Sequence, residues 1–206
     1  MNYRLNCQLF LVRHGEVANP NHVVYGDLPG FHLTPTGVLQ AHHAAEHLAD
    51  SVIDVVLTSP LDRAVETATA IARLHGIEPT VDIRMVESGQ FPHWTGHRWE
   101  SIPTLFPGEL EAYLENADAV RGTETIKQVS SRIVATINDS ISDGFRHIVA
   151  VGHQDPTQAT RLALTGRELA ELRTDPPDHA EVIELLHAED GIWTEISRWS
   201  PAIPTG

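Results

Sequence analysis

The stretch "LFLVRHGEVANP", residues 9–20, carries four apolar residues straight into Arg13, His14, Gly15 and Glu16. A continuous apolar run of this length predicts a short strand covered on both faces, as in a parallel sheet. The strand then ends in a cation, an imidazole and a glycine, which belong at a site rather than in a core. "QLFLV" (8–12) and "DVVLTS" (54–59) read as strands of this kind, and so does "HIVAVGH" (147–153), which ends in His153.

Between these strands the sequence signals helices. Thr34-Pro35, Ser59-Pro60 and Asp155-Pro156 each place a capping side chain before a proline suited to a first helical turn. Thr123 is the expected cap of a helix whose apolar residues Ile126, Val129, Ile133 and Ile137 recur at helical spacing. Gly76 and Gly166 are placed to end helices. "AEVIELLH" and "IWTEISRW" predict a closing antiparallel hairpin around Glu189-Asp190-Gly191. Alternating strands and helices predict an α/β fold, a three-layer α/β/α sandwich on a mostly parallel sheet. Two loop-rich regions remain, residues 19–33 and 88–122. The second is expected to be a small cap inserted in a single domain.

Composition removes several function classes. The chain of 206 residues suits one domain, and 41% hydrophobic with 20% charged residues is ordinary for a globular protein. A net charge of -14 argues against nucleic acid and anionic membranes as partners, and no run is long enough to span a bilayer. The lone Cys7 excludes an internal disulfide, and the apolar run at Leu9 is too short for a leader peptide; both point to a cytoplasmic protein.

Three motifs fall after strands: "VRHGE", "TSPLDRAVETA" with Arg63 in a first helical turn, and "VGHQDP" with His153. Open α/β sheets gather ligands at strand C-termini. Two arginines, two histidines and neighbouring helix N-termini there make an anion site, with phosphate the fitting guest. Histidine can serve as a nucleophile, Arg13 beside it supplies charge, and Gly15 allows close backbone approach. Flanking arginines should hold His14 neutral, the nucleophilic form.

Taken in order, "LVRHGE", "LTPTGVLQA", "TSPLDRAVETA", "MVESG", "GTETIKQVSSR" and "VGHQDP" resemble the successive motifs of the histidine phosphatase superfamily, in its phosphoglycerate-mutase-like branch, from about residue 9 to residue 160. The resemblance implies that His14 is phosphorylated, and that Arg13, Arg63 and His153 hold the phosphoryl group; a protonated His153 is expected to help stabilise it. It implies that Glu87 is general acid and base. Gln154, next to His153, joins the phosphate-binding set, and Asn19, Asn21 and Tyr25 are candidates for reaching the substrate. Departures surround this set: Val17 stands where the family's mutases carry serine, Gln154 where glycine is common, and Trp94-Thr95-Gly96 where Trp-Glu-Gly is usual.

The expected reaction is hydrolysis of a small phosphorylated metabolite through a phosphohistidine. No metal or other cofactor is required, because cationic side chains neutralise the transferring group. A cofactor-dependent phosphoglycerate mutase and a non-catalytic phospho-ligand binder are the alternatives. His93, Trp94, Arg98 and Trp99 are read as packing the second loop. "HAAEH" (43–47) matches a zinc-peptidase pattern, but Val38, Ala41, Ala45 and Leu48 define the apolar side of that helix, with His43 and His47 nearly opposite. Neither the substrate's identity nor the oligomeric state has a signature in the sequence.

Overall fold

The computed structural model describes residues 7–89, 92–117, 122–188 and 191–202. The chain runs β1 (Cys7–Arg13), α1 (Pro35–Leu48), β2 (Val55–Thr58), α2 (Asp62–Leu74), β3 (Thr80–Val81), α3 (Ile102–Leu105), α4 (Glu109–Glu115), α5 (Ile126–Ser142), β4 (His147–Gly152), α6 (Gln154–Leu164), β5 (Val182–His187) and β6 (Trp193–Trp199). The strands form a six-stranded sheet in the order β3-β2-β4-β1-β5-β6. From β3 to β1 neighbours are parallel; β5 and β6 pair antiparallel.

The apolar run of β1 is explained by the pleat, which sends alternate side chains to opposite faces. Leu9 and Leu11 enter a core with Leu57, Ala150 and the α5 residues Val129, Ile133 and Ile137. Phe10 and Val12 enter a second core with Val56, Val149, the α1 residues Ala44, Ala45 and Leu48, and the α2 residues Ala64, Ala68 and Ile71. Burying each such side chain stabilises the fold by about 1.5–3 kcal/mol. The result is the expected α/β/α layering. On α1 the buried stripe runs through Ala41, Ala44, Ala45 and Leu48, while Val38 at its rim is 42% exposed, not core.

Helix ends follow the sequence where they lie away from the strand C-termini and depart from it near them. Thr34 caps α1 by accepting the Gly37 N–H at 2.9 Å, and Gly76 and Gly166 take left-handed φ of 68° and 67° after α2 and α6. Ser59 does not cap α2, which starts at Asp62, and Asp155 does not cap α6, which starts at Gln154. Thr125, not Thr123, caps α5, in a capping box with Gln128. The closing hairpin forms as expected, although Glu189 and Asp190 at its turn lie outside the described residues.

Candidate active site

Because β4 lies between β1 and β2, the C-terminal ends of three parallel strands are side by side. Arg13 pairs with Gly152 and Thr58 with Val151. The ladder continues one residue beyond each strand, with His14 N–H donating to Gly152 at 3.0 Å and Ser59 N–H to Val151 at 3.1 Å. His14 is therefore fixed at its backbone before its side chain is considered.

Past His14 the chain passes under the start of α1. A Cβ on Gly15 would meet the Gly37 carbonyl oxygen at 2.5 Å, and one on Gly37 would meet that of Glu16 at 2.1 Å. The glycine of "RHGE" thus permits contact with another stretch of backbone. Glu16 is a loop fastener: its carboxylate accepts from the Thr34 hydroxyl at 2.6 Å, and its N–H donates to Gln40 at 2.7 Å.

The His14 ring is 2% exposed, and its Nδ1 lies 2.7 Å from the carbonyl oxygen of Gly15. A carbonyl only accepts, so Nδ1 carries the proton and Nε2 keeps its lone pair. Burial, then Arg63 and Arg13, hold the ring well below the ordinary histidine pKa. A neutral imidazole with a free lone pair among cations can attack an electrophile.

Arg63, in the first turn of α2, is fully buried; it donates to the Gly26 carbonyl at 2.6 Å and lies over the Tyr25 ring, 4.8 Å from its centroid. Its Nε and Nη1 have no hydrogen-bond partner among the described residues. Arg13 spends Nη1 on the Pro177 carbonyl (3.0 Å) and Nη2 on His179 Nε2 (2.9 Å), leaving Nε unpaired. Burial and Arg13 push His179 down to about 4, so it accepts from that guanidinium as a neutral ring.

His153 is fully buried, its ring 5.2 Å from that of His14. Its Nε2 lies 2.8 Å from Ser59 Oγ, which also accepts the Leu61 N–H at 3.3 Å. Where the Ser59 hydroxyl donates to Nε2, the His153 proton sits on Nδ1, an atom with no hydrogen-bond partner among the described residues. The expectation of a protonated His153 is corrected: burial, Arg63, His14 and Arg132 hold it well below the ordinary value. It remains a donor through Nδ1.

Glu87 Oε2 lies 3.8 Å from His153 Nδ1, and its Oε1 accepts the Ser88 N–H at 2.8 Å. Its segment is pinned from α5. Arg132 donates to the Glu87 carbonyl at 3.1 Å and pairs with Glu124 at 2.8 Å, while Glu124 accepts the Gly89 N–H at 2.9 Å. Burial and Asp155 push the Glu87 carboxyl up to about 7, against the pull of Arg63 and Arg13. A group that titrates there can give and take a proton near neutrality.

Arg13, His14, Tyr25, Glu87, Gln154 and Asp155 form part of the wall of a cavity of about 380 Å³, while Arg63 and His153, fully buried, are not among its lining residues. Asn19 and Asn21 are not brought to the cavity wall. Asn19 closes a turn, bonding Val23 through both ends of its amide, and Asn21 is exposed and absent from the walls. The walls continue through Ser88, Gly89, Pro92, Thr95, Trp99, Tyr113 and Thr123. Trp99 thus faces the cavity, whereas Trp94 packs in full burial and donates to Glu109 at 2.8 Å. His179 and Pro177 have no signature in the sequence, because they arrive from a distant segment, whereas Asp155 stands within "VGHQDP" and reads there as a helix cap. His43 and His47 sit on α1, the latter stacked on Trp199 at 4.3 Å between centroids.

A family model of the histidine phosphatase superfamily (branch 1) matches residues 9–200. An uncharacterized protein of Mycobacterium tuberculosis is 37% identical over 170 residues, spanning 79% of this chain and 80% of that one. Phosphoserine phosphatase 1 of Hydrogenobacter thermophilus is 27% identical over 186 residues, spanning 89% and 87%. The native structure of mycobacterial glucosyl-3-phosphoglycerate phosphatase superposes with a TM-score of 0.84 at 23% identity, over 96% of this chain and 100% of that one. The chain belongs to the histidine phosphatase superfamily.

Proposed function

We propose that this histidine phosphatase hydrolyses the phosphomonoester of a small metabolite through a phosphohistidine on His14. The observation that carries the reading is the His14 tautomer: the bond from Nδ1–H to the Gly15 carbonyl leaves the Nε2 lone pair free within a ring of buried donors. An unpaired buried donor costs about 1–3 kcal/mol. A phosphoryl group seated against His14 would satisfy Arg13 Nε, Arg63 Nε and Nη1, and His153 Nδ1 together.

In the first half-reaction His14 Nε2 attacks phosphorus in line with the ester oxygen. The Nε2–P bond forms as the P–O bond breaks, and the departing oxygen takes the Glu87 proton. Arg13, Arg63 and His153 spread the charge on the non-bridging oxygens. In the second half-reaction Glu87, now a carboxylate, removes a proton from water. The oxygen of that water displaces His14 from phosphorus, giving inorganic phosphate and restoring protonated Glu87. Residues 88–122 would act as the cover, with Trp99 and Tyr113 facing the leaving group.

Among the described residues no helix is long and apolar enough to cross a membrane. The single cysteine, buried at the start of β1, supports a cytoplasmic setting. Relatives named phosphoserine phosphatase and glucosyl-3-phosphoglycerate phosphatase guide the choice of substrates. The test is phosphate release from p-nitrophenyl phosphate and a panel of phosphorylated amino acids and sugars, by the wild type and His14→Ala. Turnover lost in the variant supports the reading. Binding without turnover in either protein would make the chain a phospho-ligand binder.

A further inference from the structure

Beyond the phosphate clamp, the first turn of α6 carries a second charged cluster. Asp155 is 7% exposed, yet it forms part of the cavity wall with Glu87. Its Oδ1 accepts from Arg173 Nη1 at 2.7 Å and its Oδ2 from Arg173 Nη2 at 3.0 Å, a bidentate pair. The Tyr113 hydroxyl donates to Oδ2 at 2.7 Å, and the Arg173 guanidinium lies 3.9 Å from the Tyr113 ring centroid. Both carboxylate oxygens of Asp155 are thereby committed, to Tyr113 on α4 and to Arg173 in the turn before Asp175.

We propose that Asp155, locked by Arg173 and Tyr113, is a positioning residue that acts through Glu87, fixing the charge set against the carboxyl that serves the leaving group. This rests on the reading of Glu87 as the leaving-group acid. Asp155 makes no bond to His14 and is not assigned to the phosphoryl oxygens. The bidentate pair with Arg173 instead holds its side chain at a set place in the wall that Glu87 shares, where the low local dielectric lets charged groups act strongly on one another.

The other groups around Glu87 do not supply that effect. Arg63 from α2 and Arg13 from β1 favour its carboxylate form, whereas Asp155 opposes them. His14 and His153 are held neutral by burial and those arginines. Burial keeps the Tyr25 and Tyr113 hydroxyls protonated. Arg132, which grips the Glu87 carbonyl, is matched by Glu124. Asp155 is the acidic neighbour that acts against two arginines, and Arg173 tempers it.

The two partners of one ion pair should then shift the pH profile in opposite directions, which loss of packing alone would not do. In kcat/KM, activity falls as pH rises through the Glu87 pKa, near 7, because the leaving-group acid is lost. Asp155→Asn removes the opposing negative charge and leaves Arg173 unmatched, so this limb moves down by about one pH unit. Arg173→Met leaves Asp155 untempered, so the limb moves up. Tyr113→Phe keeps both charges and leaves the limb within about 0.3 of wild type. The substrate's own ionisation is common to all four proteins. If either ion-pair variant fails to fold, the other together with Tyr113→Phe still decides the matter. Ion-pair variants that leave the limb in place, or move it the same way, overturn the proposal.

Glu87→Gln separates failure of the premise. A leaving-group acid is needed for alkyl phosphates far more than for p-nitrophenyl phosphate, so this variant should lose about 100-fold more on the alkyl ester. Equal losses on both esters would remove Glu87 from that role whatever Asp155 does.

Discussion

The Nδ1 of His14 donates to the carbonyl oxygen of Gly15 across 2.7 Å, and this bond sets which nitrogen faces the cavity. It joins a side chain to its own next residue, so it persists only while Gly15 keeps its backbone course beneath α1. His14→Ala removes the attacking atom. Its kcat should fall by about 10,000-fold or more, leaving what binding and charge stabilisation alone provide. The fold should survive, because the lost ring faces a cavity. Enzyme quenched during turnover should carry phosphate in an acid-labile, base-stable bond, the behaviour of a phosphoramidate. Full activity in the variant, or an acid-stable phosphoester, would remove His14 as nucleophile.

The course of Gly15 makes a separate prediction at Gly37. In an open helical position, Gly→Ala gains up to about 1 kcal/mol. At Gly37 the added Cβ would lie 2.1 Å from the Glu16 carbonyl oxygen, which is backbone and held by the Thr34 N–H at 2.9 Å. The clash should win, at a net cost of about 1–3 kcal/mol. A thermal melt of Gly37→Ala should fall by several degrees, and activity should fall with it because Gly15 and Glu16 are displaced. An unchanged or raised melting temperature would refute this account of the turn.

The main features of the fold were legible because they rest on local periodicity. The β1 pleat feeding two cores, the Thr34 cap and the glycines at 76 and 166 are all short-range signals. The clamp was legible for a related reason, since Arg13, His14, Arg63 and His153 each stand within a few residues of a strand end. The misread caps cluster at the cavity. Ser59 turns to His153, Asp155 to Arg173 and Tyr113, and the Thr123 hydroxyl to the Gly89 carbonyl at 2.9 Å. Side chains suited to capping were taken by partners 18 to 94 residues away, which no local pattern announces. Glu87 was identified only by resemblance, since its placement depends on Arg132 and Glu124 around α5.

Chelation should leave the rate unchanged. The site's positive charge comes from Arg13 and Arg63, with N–H donors from His153, so phosphoryl transfer has its neutralisation in side chains. "HAAEH" offers the competing prediction of a zinc enzyme, yet His47 stacks on Trp199 with the rings 4° from parallel, and neither it nor His43 forms part of the cavity wall. Assay after exhaustive dialysis against EDTA should give wild-type kcat. Loss that zinc restores would bring the metal reading back.

Water, rather than a second hydroxyl of the substrate, should be the preferred phosphoryl acceptor. A mutase must exclude water while its phosphoenzyme waits, and must hold a bisphosphate whose second phosphate needs cations of its own. Residues 16–33 contain no lysine or arginine. In the second loop Arg98 pairs with Glu100 at 3.4 Å with a side chain 63% exposed, and His93 is taken by Glu109 at 2.6 Å; Arg121 lies outside the described residues. The described wall beyond the clamp instead carries Ser88, Thr95, Thr123, Trp99 and Tyr113, with the acidic Asp27 and Asp155, and holds no lysine or further arginine. Neutral hydroxyls and acids there give a second phosphate little to hold, so the bound alcohol should leave before it can be rephosphorylated. The measurement is product partition on 3-phosphoglycerate primed with 2,3-bisphosphoglycerate, following 2-phosphoglycerate and inorganic phosphate together. Phosphate release should dominate by about 10-fold or more, a difference of about 1.4 kcal/mol between the two exits from the phosphoenzyme. Formation of 2-phosphoglycerate outrunning phosphate release would mean that the wall supplies a second anion site and that the chain is a mutase.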